Sequence, residues 1–207
     1  RYKAIRLYIG IEGLRLNLPN RLTLLRILLI PVFVVLVSIN AIPGNYLLAA
    51  LVFIGASITD YLDGSIARKR DMVTDFGKFA DPLADKILTT VAFIYMLVDG
   101  VCHPLVLVII IVREFAVSGV RMVAAGAPDG KVIAANRMGK AKTVLQMVTI
   151  ITYYVLAGVQ RLLPVYIDTG TIPQIIAWVL CWAVAAITAI SGVQYIWQNR
   201  AYINTKK

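Results

Sequence analysis

The chain has 207 residues, of which 59% are apolar and only 15% are charged. Soluble domains carry about 25% charged residues, so the composition excludes an ordinary soluble domain and indicates a membrane protein. The 21 basic residues outnumber the 11 acidic ones, which gives a formal net charge of +10. In so apolar a chain we assign this excess to membrane topology and to contacts with anionic headgroups, rather than to nucleic acid.

Residues 1–16 form a basic and mildly amphipathic segment. Such a segment fits a juxtamembrane helix that lies on the lipid headgroups. It equally fits the end of an upstream fusion partner or a linker, and we favour that second interpretation slightly. Residues 17–207 then form the membrane domain.

Six apolar runs in residues 17–207 predict an all-α fold with six transmembrane helices. Pro19 and Asn20 precede the first run and suit a helix start, with Asn20 as the N-cap. The predicted helices span about 21–39, 46–67, 75–98, 104–125, 139–160 and 174–197.

The basic residues are distributed unevenly about these runs. If the N-terminus is cytoplasmic, sixteen of the 21 basic residues fall on the cytoplasmic side, whereas Arg161 alone falls in a connection on the other side. The positive-inside rule therefore predicts that both termini are cytoplasmic. The remaining four lie within the runs, and they are Arg26, Lys86, Arg113 and Arg121.

Cysteine and histidine give no sign of a zinc site or a disulfide framework. Cys102 and Cys181 lie in or beside different apolar runs without CxxC spacing, and His103 is the only histidine. We interpret His103 as an interfacial residue.

Four aspartates lie where the second run ends and the third begins. Asp60 and Asp63 are three residues apart, and Asp81 and Asp85 are four apart, so each pair shares a face if these segments are helical. Four ionised carboxylates are costly there unless they are compensated. Protonation of some of them is one solution. Two divalent cations are another, and they would offset all four charges.

Oxygen ligands favour Mg²⁺, Mn²⁺ or Ca²⁺ over zinc, and two such ions suit a pyrophosphate substrate. Gly64, Ala67 and Gly77 lie on the same helix faces as the acids and would let a flat ligand approach the backbone closely. The alternative is a polar network between helices with ordinary packing glycines.

A second group of charges lies in the fourth and fifth runs. Arg113 and Arg121 are eight residues apart, and Lys140 and Lys142 open the fifth run. Such a cluster beside a metal site suits a second substrate that bears a phosphate. Arg121 and the two lysines are also compatible with side chains that reach the headgroups. Glu114 is a possible ion-pair partner for one of these cations.

The aspartate stretch resembles the signature of the CDP-alcohol phosphotransferases, D-x2-D-G-x2-A-R-x8-G-x3-D-x3-D. Every fixed position is present between Asp60 and Asp85. The resemblance extends from about Asn17 to the last run. Within the family it is closest to bacterial members whose acceptor is sn-glycerol 3-phosphate, and it is carried by residues 17–26, 77–86, 113–121 and 139–143.

The resemblance implies a six-helix fold in the bacterial cell membrane, usually a homodimer, with an active site that faces the cytoplasm. It also implies a reaction in which CDP-diacylglycerol and sn-glycerol 3-phosphate give phosphatidylglycerophosphate and CMP. The implied cofactor is a pair of divalent cations, with Mg²⁺ favoured over Mn²⁺.

The resemblance further assigns roles to individual residues. Asp60, Asp63 and Asp81 would hold the two metals, with Asp85 at the edge of that site. Asp85 would also take the proton from the acceptor hydroxyl, which attacks the phosphorus that bears diacylglycerol. The predicted CDP-binding residues are Gly64, Ala67, Arg68, Gly77, Asn20, Thr23 and Arg26. The predicted acceptor-phosphate residues are Arg113, Arg121, Lys140 and Lys142.

Two alternatives remain open at this point. A related enzyme of the family could use inositol phosphate, which suits the cation cluster about equally well, or serine, which has no phosphate for the cluster to bind. A divalent-cation transporter is the alternative from another class of protein. Only Glu114 among the acids lies deep in a run, which disfavours a transport path.

Overall fold

The structure is a computed structural model that describes residues 18–70, 75–126, 137–162 and 172–200. The side chains of residues 18–21, 61–70, 75–82 and 85 lie outside this description. Residues 1–17 also lie outside it, so both interpretations of the N-terminal segment stay predictions.

Six helices account for most of the described chain and confirm the predicted all-α class. Their bounds agree with the six apolar runs to within three residues. They are α1 (Leu18–Ser38), α2 (Asn45–Arg70), α3 (Asp75–Val98), α4 (Pro104–Ala125), α5 (Arg137–Leu162) and α6 (Ile172–Gln198).

The start of α1 differs from the prediction. The helix begins at Leu18, so Asn20 lies within its first turn and the predicted N-cap at Asn20 is wrong. The physical reason is that Pro19 is tolerated in a first helical turn, where its missing N–H would have no intrahelical partner anyway.

Two of the described helices, α5 and α6, are long and apolar enough to cross a membrane. Shorter apolar stretches run through α1, α2 and α3, at Leu22–Ser38, Asn45–Asp60 and Lys86–Val98. Large apolar side chains also stay on the outer surface, where Phe115 and Met122 of α4 are about three-quarters exposed. A surface of this kind suits contact with lipid.

An aromatic core joins four of the helices. The rings of Phe33 on α1 and Tyr154 on α5 meet edge to face with centroids 5.2 Å apart, and Phe53 of α2 packs against Phe33. The Tyr154 hydroxyl donates to the Ala92 carbonyl of α3 at 3.0 Å. α6 packs on α5 and on α4 at the side of this core.

A polar cluster closes one end of the bundle. The Tyr46 and Tyr153 hydroxyls both donate to Asp99 Oδ2, at 2.7 and 2.6 Å. Arg161 donates to Asn40 Oδ1 at 3.1 Å at the same end. These contacts join α1, α2, α3 and α5, and they leave the C-terminus of α2 and the N-terminus of α3 at the opposite end, where the aspartate motif lies.

Candidate functional site

Asp60 is the one motif carboxylate whose side chain the structure describes. Its Oδ1 lies 2.7 Å from Arg26 Nη1, so this ion pair joins α2 to α1. Arg26 is only 1% exposed, whereas Asp60 is 36% exposed. A buried guanidinium requires such an anionic partner, and Asp60 still borders the open end of the bundle.

The other three aspartates are placed only by their helices. Asp63 lies on α2, and Asp81 and Asp85 lie on α3, with side chains outside the description. The described residues include no group of three or more His, Cys, Asp or Glu side chains that could hold a metal ion. The metal site therefore stays a prediction, and the Asp60 carboxylate is of the donor type that Mg²⁺ prefers.

The predicted CDP-binding residues are described in part. Thr23 and Arg26 are buried on α1, and they lie three residues apart, on one face of the helix. The ion pair between Arg26 and Asp60 connects this face to the motif helix. The other five lie outside the described side chains, and they are Asn20, Gly64, Ala67, Arg68 and Gly77.

Glu114 is the centre of the charge cluster between α4 and α5. Its Oε1 lies 3.1 Å from Arg113 Nη1 and also accepts a hydrogen bond from Lys142 Nζ. The side chains are largely buried, with 12% of Arg113, 19% of Glu114 and 4% of Lys142 exposed. The predicted pairing of Glu114 with a neighbouring cation is confirmed.

This cluster keeps a surplus of positive charge. Two cations share one carboxylate, and the Nε of Arg113 is buried without a hydrogen-bond partner among the described residues. A buried donor without a partner is costly. The surplus positive charge would attract an anionic ligand such as a phosphate.

A cavity of about 390 Å³ lies between α3 and α4, next to the cluster. Its lining is mostly apolar, with Lys86, Thr90, Glu114 and Ser118 as polar members. Lys86 directly follows Asp85 and donates to the Ser118 hydroxyl. The cavity therefore connects the second half of the aspartate motif with the charge cluster.

The structure separates the four predicted acceptor-phosphate residues into groups. Arg113 and Lys142 meet at Glu114, whereas Arg121 is exposed and donates from Nε to the Tyr195 hydroxyl of α6 at 3.1 Å. Lys140 is exposed and makes no hydrogen bond or ion pair within the described ranges. Residues two apart on a helix point in different directions, so Lys140 is set apart from Lys142.

Two polar contacts of this region escaped the sequence analysis, one between Lys86 and Ser118 and one between Arg121 and Tyr195. Lys86 and Ser118 lie within the stretches 77–86 and 113–121 that carry the family resemblance, but neither was assigned a role, and Tyr195 belongs to no motif. Helical spacing shows which residues share a face, but it does not show which helix that face meets. The presence of Lys86 and Ser118 in these two stretches, and the position of Lys86 directly after Asp85, were the available signals.

Comparison with known proteins covers nearly the whole chain. A family profile described as CDP-alcohol phosphatidyltransferase matches residues 16–190. A Bacillus subtilis (strain 168) protein is 38% identical over 200 aligned residues, which cover 91% of this chain and 98% of the relative. A Rickettsia typhi protein is 37% identical over 186 residues, 90% of this chain and 98% of its own length.

An Escherichia coli (strain K12) protein is 38% identical over 141 residues, which cover 66% of this chain and 76% of the relative. All three relatives carry the name CDP-diacylglycerol–glycerol-3-phosphate 3-phosphatidyltransferase. Sequence similarity therefore extends well beyond the aspartate motif.

Proposed function

This chain belongs to the CDP-alcohol phosphatidyltransferase family, and on that premise we propose that it transfers the phosphatidyl group of CDP-diacylglycerol to sn-glycerol 3-phosphate. The products are phosphatidylglycerophosphate and CMP. The relatives' shared name supports both substrates. The structural observation that carries the proposal is the charge cluster beside the motif helices. There Arg113 and Lys142, both largely buried, give the surplus of positive charge that a phosphorylated acceptor needs.

The acceptor site follows from this cluster. Arg113 and Lys142 bind the phosphate of sn-glycerol 3-phosphate, while Glu114 holds the two cations in place and limits their repulsion. Arg121 adds a guanidinium from the exposed part of the site, and Lys140 contributes a more distant positive charge. Free serine lacks the group that these cations bind.

The aspartates carry the transfer itself. Asp85 takes the proton from the acceptor hydroxyl as this oxygen forms a bond to the phosphorus bearing diacylglycerol. The bond from that phosphorus to the CMP oxygen breaks, and CMP leaves with the electron pair. Lys86, the next residue, is held by Ser118 at the cavity between α3 and α4. This cavity lies between the motif helix α3 and the charge cluster.

Members of the family generally use divalent metal ions. We assign two Mg²⁺ ions, for which Mn²⁺ can substitute, to Asp60, Asp63, Asp81 and Asp85. When bound, they supply positive charge that polarises the pyrophosphate and stabilises the leaving oxygen. Arg26 holds Asp60 in position through their ion pair. The binding site for the cytidine and pyrophosphate is lined by Gly64, Ala67, Arg68 and Gly77, together with Asn20, Thr23 and Arg26 of α1.

Residues 17–207 form a multi-pass domain of the bacterial cell membrane, with both termini and the active site on the cytoplasmic side. The distribution of basic residues supports this orientation. The apolar outer surface and the long apolar helices α5 and α6 support the spanning arrangement. We further propose that the protein acts as a homodimer.

The test is a comparison of acceptors with purified protein. CDP-diacylglycerol is supplied in detergent micelles with sn-glycerol 3-phosphate, inositol phosphate or serine, with Mg²⁺ or with EDTA, and released CMP is measured. We expect CMP release with sn-glycerol 3-phosphate and Mg²⁺, and loss of release with EDTA. CMP release with inositol phosphate but not with sn-glycerol 3-phosphate would contradict the proposed acceptor.

Cation flux into proteoliposomes without any CMP release would instead indicate a transporter. This measurement uses the same purified protein and needs no acceptor. We expect no flux above that of protein-free vesicles.

A further inference from the structure

Helix α6 contacts both arginines of the proposed acceptor site. Gly192 lies against Arg113, and Tyr195, three residues later, hydrogen-bonds to Arg121. Residues three apart share one face of a helix, so a single face of α6 borders both guanidinium-bearing side chains. No part of the aspartate motif or of the cation cluster lies on this helix.

Gly192 provides the space in which the Arg113 side chain lies. A Cβ at this position would come within 2.9 Å of Arg113 Cγ and 3.7 Å of Arg113 Cβ. The first distance is shorter than real Cβ contacts, and Cγ is too close to the backbone to swing away at little cost. Any side chain at Gly192 would therefore force Arg113 into another rotamer and move its Nη1 away from Glu114.

Tyr195 holds Arg121 in a different way. Its ring is buried against Val117 and Val120 of α4, which fixes the position of the hydroxyl. That hydroxyl accepts a hydrogen bond from Arg121 Nε at 3.1 Å, and the Arg121 Cζ lies 5.5 Å from the ring centroid. The contact engages Nε, so the two terminal nitrogens of this exposed side chain remain available to bind an anion.

We propose that Gly192 and Tyr195 are positioning residues of the acceptor-phosphate site, which α6 thereby shapes without touching the substrate. This inference rests on the proposed function. Its physical basis is preorganisation, because an arginine held in one geometry loses less rotamer entropy when it binds phosphate. The role is specific to the acceptor and does not extend to CDP-diacylglycerol.

The first test is Tyr195→Phe, which removes one hydroxyl and keeps the ring packed on Val117 and Val120. We expect the KM for sn-glycerol 3-phosphate to rise about fivefold, the usual effect of one lost hydrogen bond. The kcat and the KM for CDP-diacylglycerol should stay unchanged. A fall in kcat with an unchanged acceptor KM would show a merely structural role and overturn the proposal.

A double-mutant cycle tests whether Tyr195 acts through Arg121. Arg121→Ala should raise the acceptor KM, and Tyr195→Phe in the Arg121→Ala background should raise it no further. Additive effects of the two substitutions would show that the tyrosine does not act through the arginine.

The second test is Gly192→Ala, with Gly119→Ala as the matched control. A Cβ at Gly119 of α4 meets nothing within 4 Å. We expect Gly192→Ala to raise the acceptor KM about tenfold through displacement of Arg113, and Gly119→Ala to leave it unchanged. Equal KM values for Gly192→Ala and the wild type would overturn the role of Gly192.

The two proposals fail in distinguishable ways. A wild-type protein that releases no CMP with sn-glycerol 3-phosphate would overturn the proposed function and this inference together. An active wild type whose Tyr195→Phe and Gly192→Ala variants keep the wild-type acceptor KM would overturn only the positioning role. Melting temperatures in the same detergent identify any variant that fails to fold, and the outcome is then decided by the variants that do fold.

Discussion

Substitution of Glu114 by Gln removes the one described carboxylate shared by Arg113 and Lys142. The side chain keeps its size and one acceptor oxygen, so packing changes little. Two largely buried cations then lose their common counter-charge. We expect a loss of folding stability together with a loss of activity.

The magnitude follows from the geometry. At 3.1 Å between Arg113 Nη1 and Glu114 Oε1, an effective dielectric constant of about 20 gives a gross attraction of about 5 kcal/mol. Desolvation offsets much of this attraction, and breaking a fully buried pair costs about 3–5 kcal/mol net. Glu114 is 19% exposed and the glutamine keeps an acceptor, so we expect a net loss of about 2 kcal/mol. For a chain of this size that loss lowers Tm by about 4–8 °C.

The assay is thermal unfolding in detergent of four proteins: wild type, Glu114→Gln, Lys142→Met and the double variant. The double variant should lose clearly less stability than the sum of the two single variants' losses. Each single loss already includes the broken pair between Glu114 and Lys142, so the sum counts that pair twice. Lys140→Met is the matched control for stability, since Lys140 is exposed on the same helix. A Glu114→Gln protein as stable as the wild type, or strictly additive losses, would refute this reasoning.

Three further predictions test other parts of the account. Arg113→Ala should raise the KM for sn-glycerol 3-phosphate about 10- to 100-fold, as expected for a lost charged hydrogen bond, and an unchanged KM would place the phosphate elsewhere. Asp85→Asn should keep the wild-type Tm but lower kcat at least about 100-fold, and substantial turnover would exclude Asp85 as the base. Gly158→Ala should lower Tm, because a Cβ there would lie 2.8 Å from the Leu47 backbone nitrogen. A Tm equal to that of the Gly119→Ala control would contradict this close packing.

The sequence predicted the helices well because apolar runs of this length have few alternative structures. The bounds of α3 and α4 agree with the prediction at both ends. The start of α1 was predicted less well. Asparagine is a favoured N-cap residue, and only the backbone of the structure shows that the helix begins at Leu18, two residues before Asn20.

The charge balance of the site was only partly predictable. The four aspartates suggested a charge of −4 to be offset by metals, but the buried Arg26 already pairs with Asp60. From the sequence alone, a charge at Arg26 within an apolar run is compatible with a side chain that reaches the headgroups or with one that faces a polar cavity. The burial of Arg26 shows that its side chain lies in the interior of the bundle, because a guanidinium that reached the headgroups would be exposed.

The contacts of α6 could not be predicted from the sequence. Gly192 and Tyr195 lie in an apolar run with no charged neighbour, and their importance depends on which helix packs against them. That packing is a long-range property, since Tyr195 and Arg121 are 74 residues apart. Spacing within one helix carries no information about it.

The central claim is a transfer in which the acceptor hydroxyl attacks the phosphorus that bears diacylglycerol. It is tested most directly with sn-glycerol 3-phosphate labelled with ¹⁸O in its attacking hydroxyl, followed by mass spectrometry of both products. The account predicts phosphatidylglycerophosphate that contains the label and CMP that does not. Formation of phosphatidic acid with a labelled cytidine-phosphoglycerol compound would show attack at the other phosphorus and contradict the account.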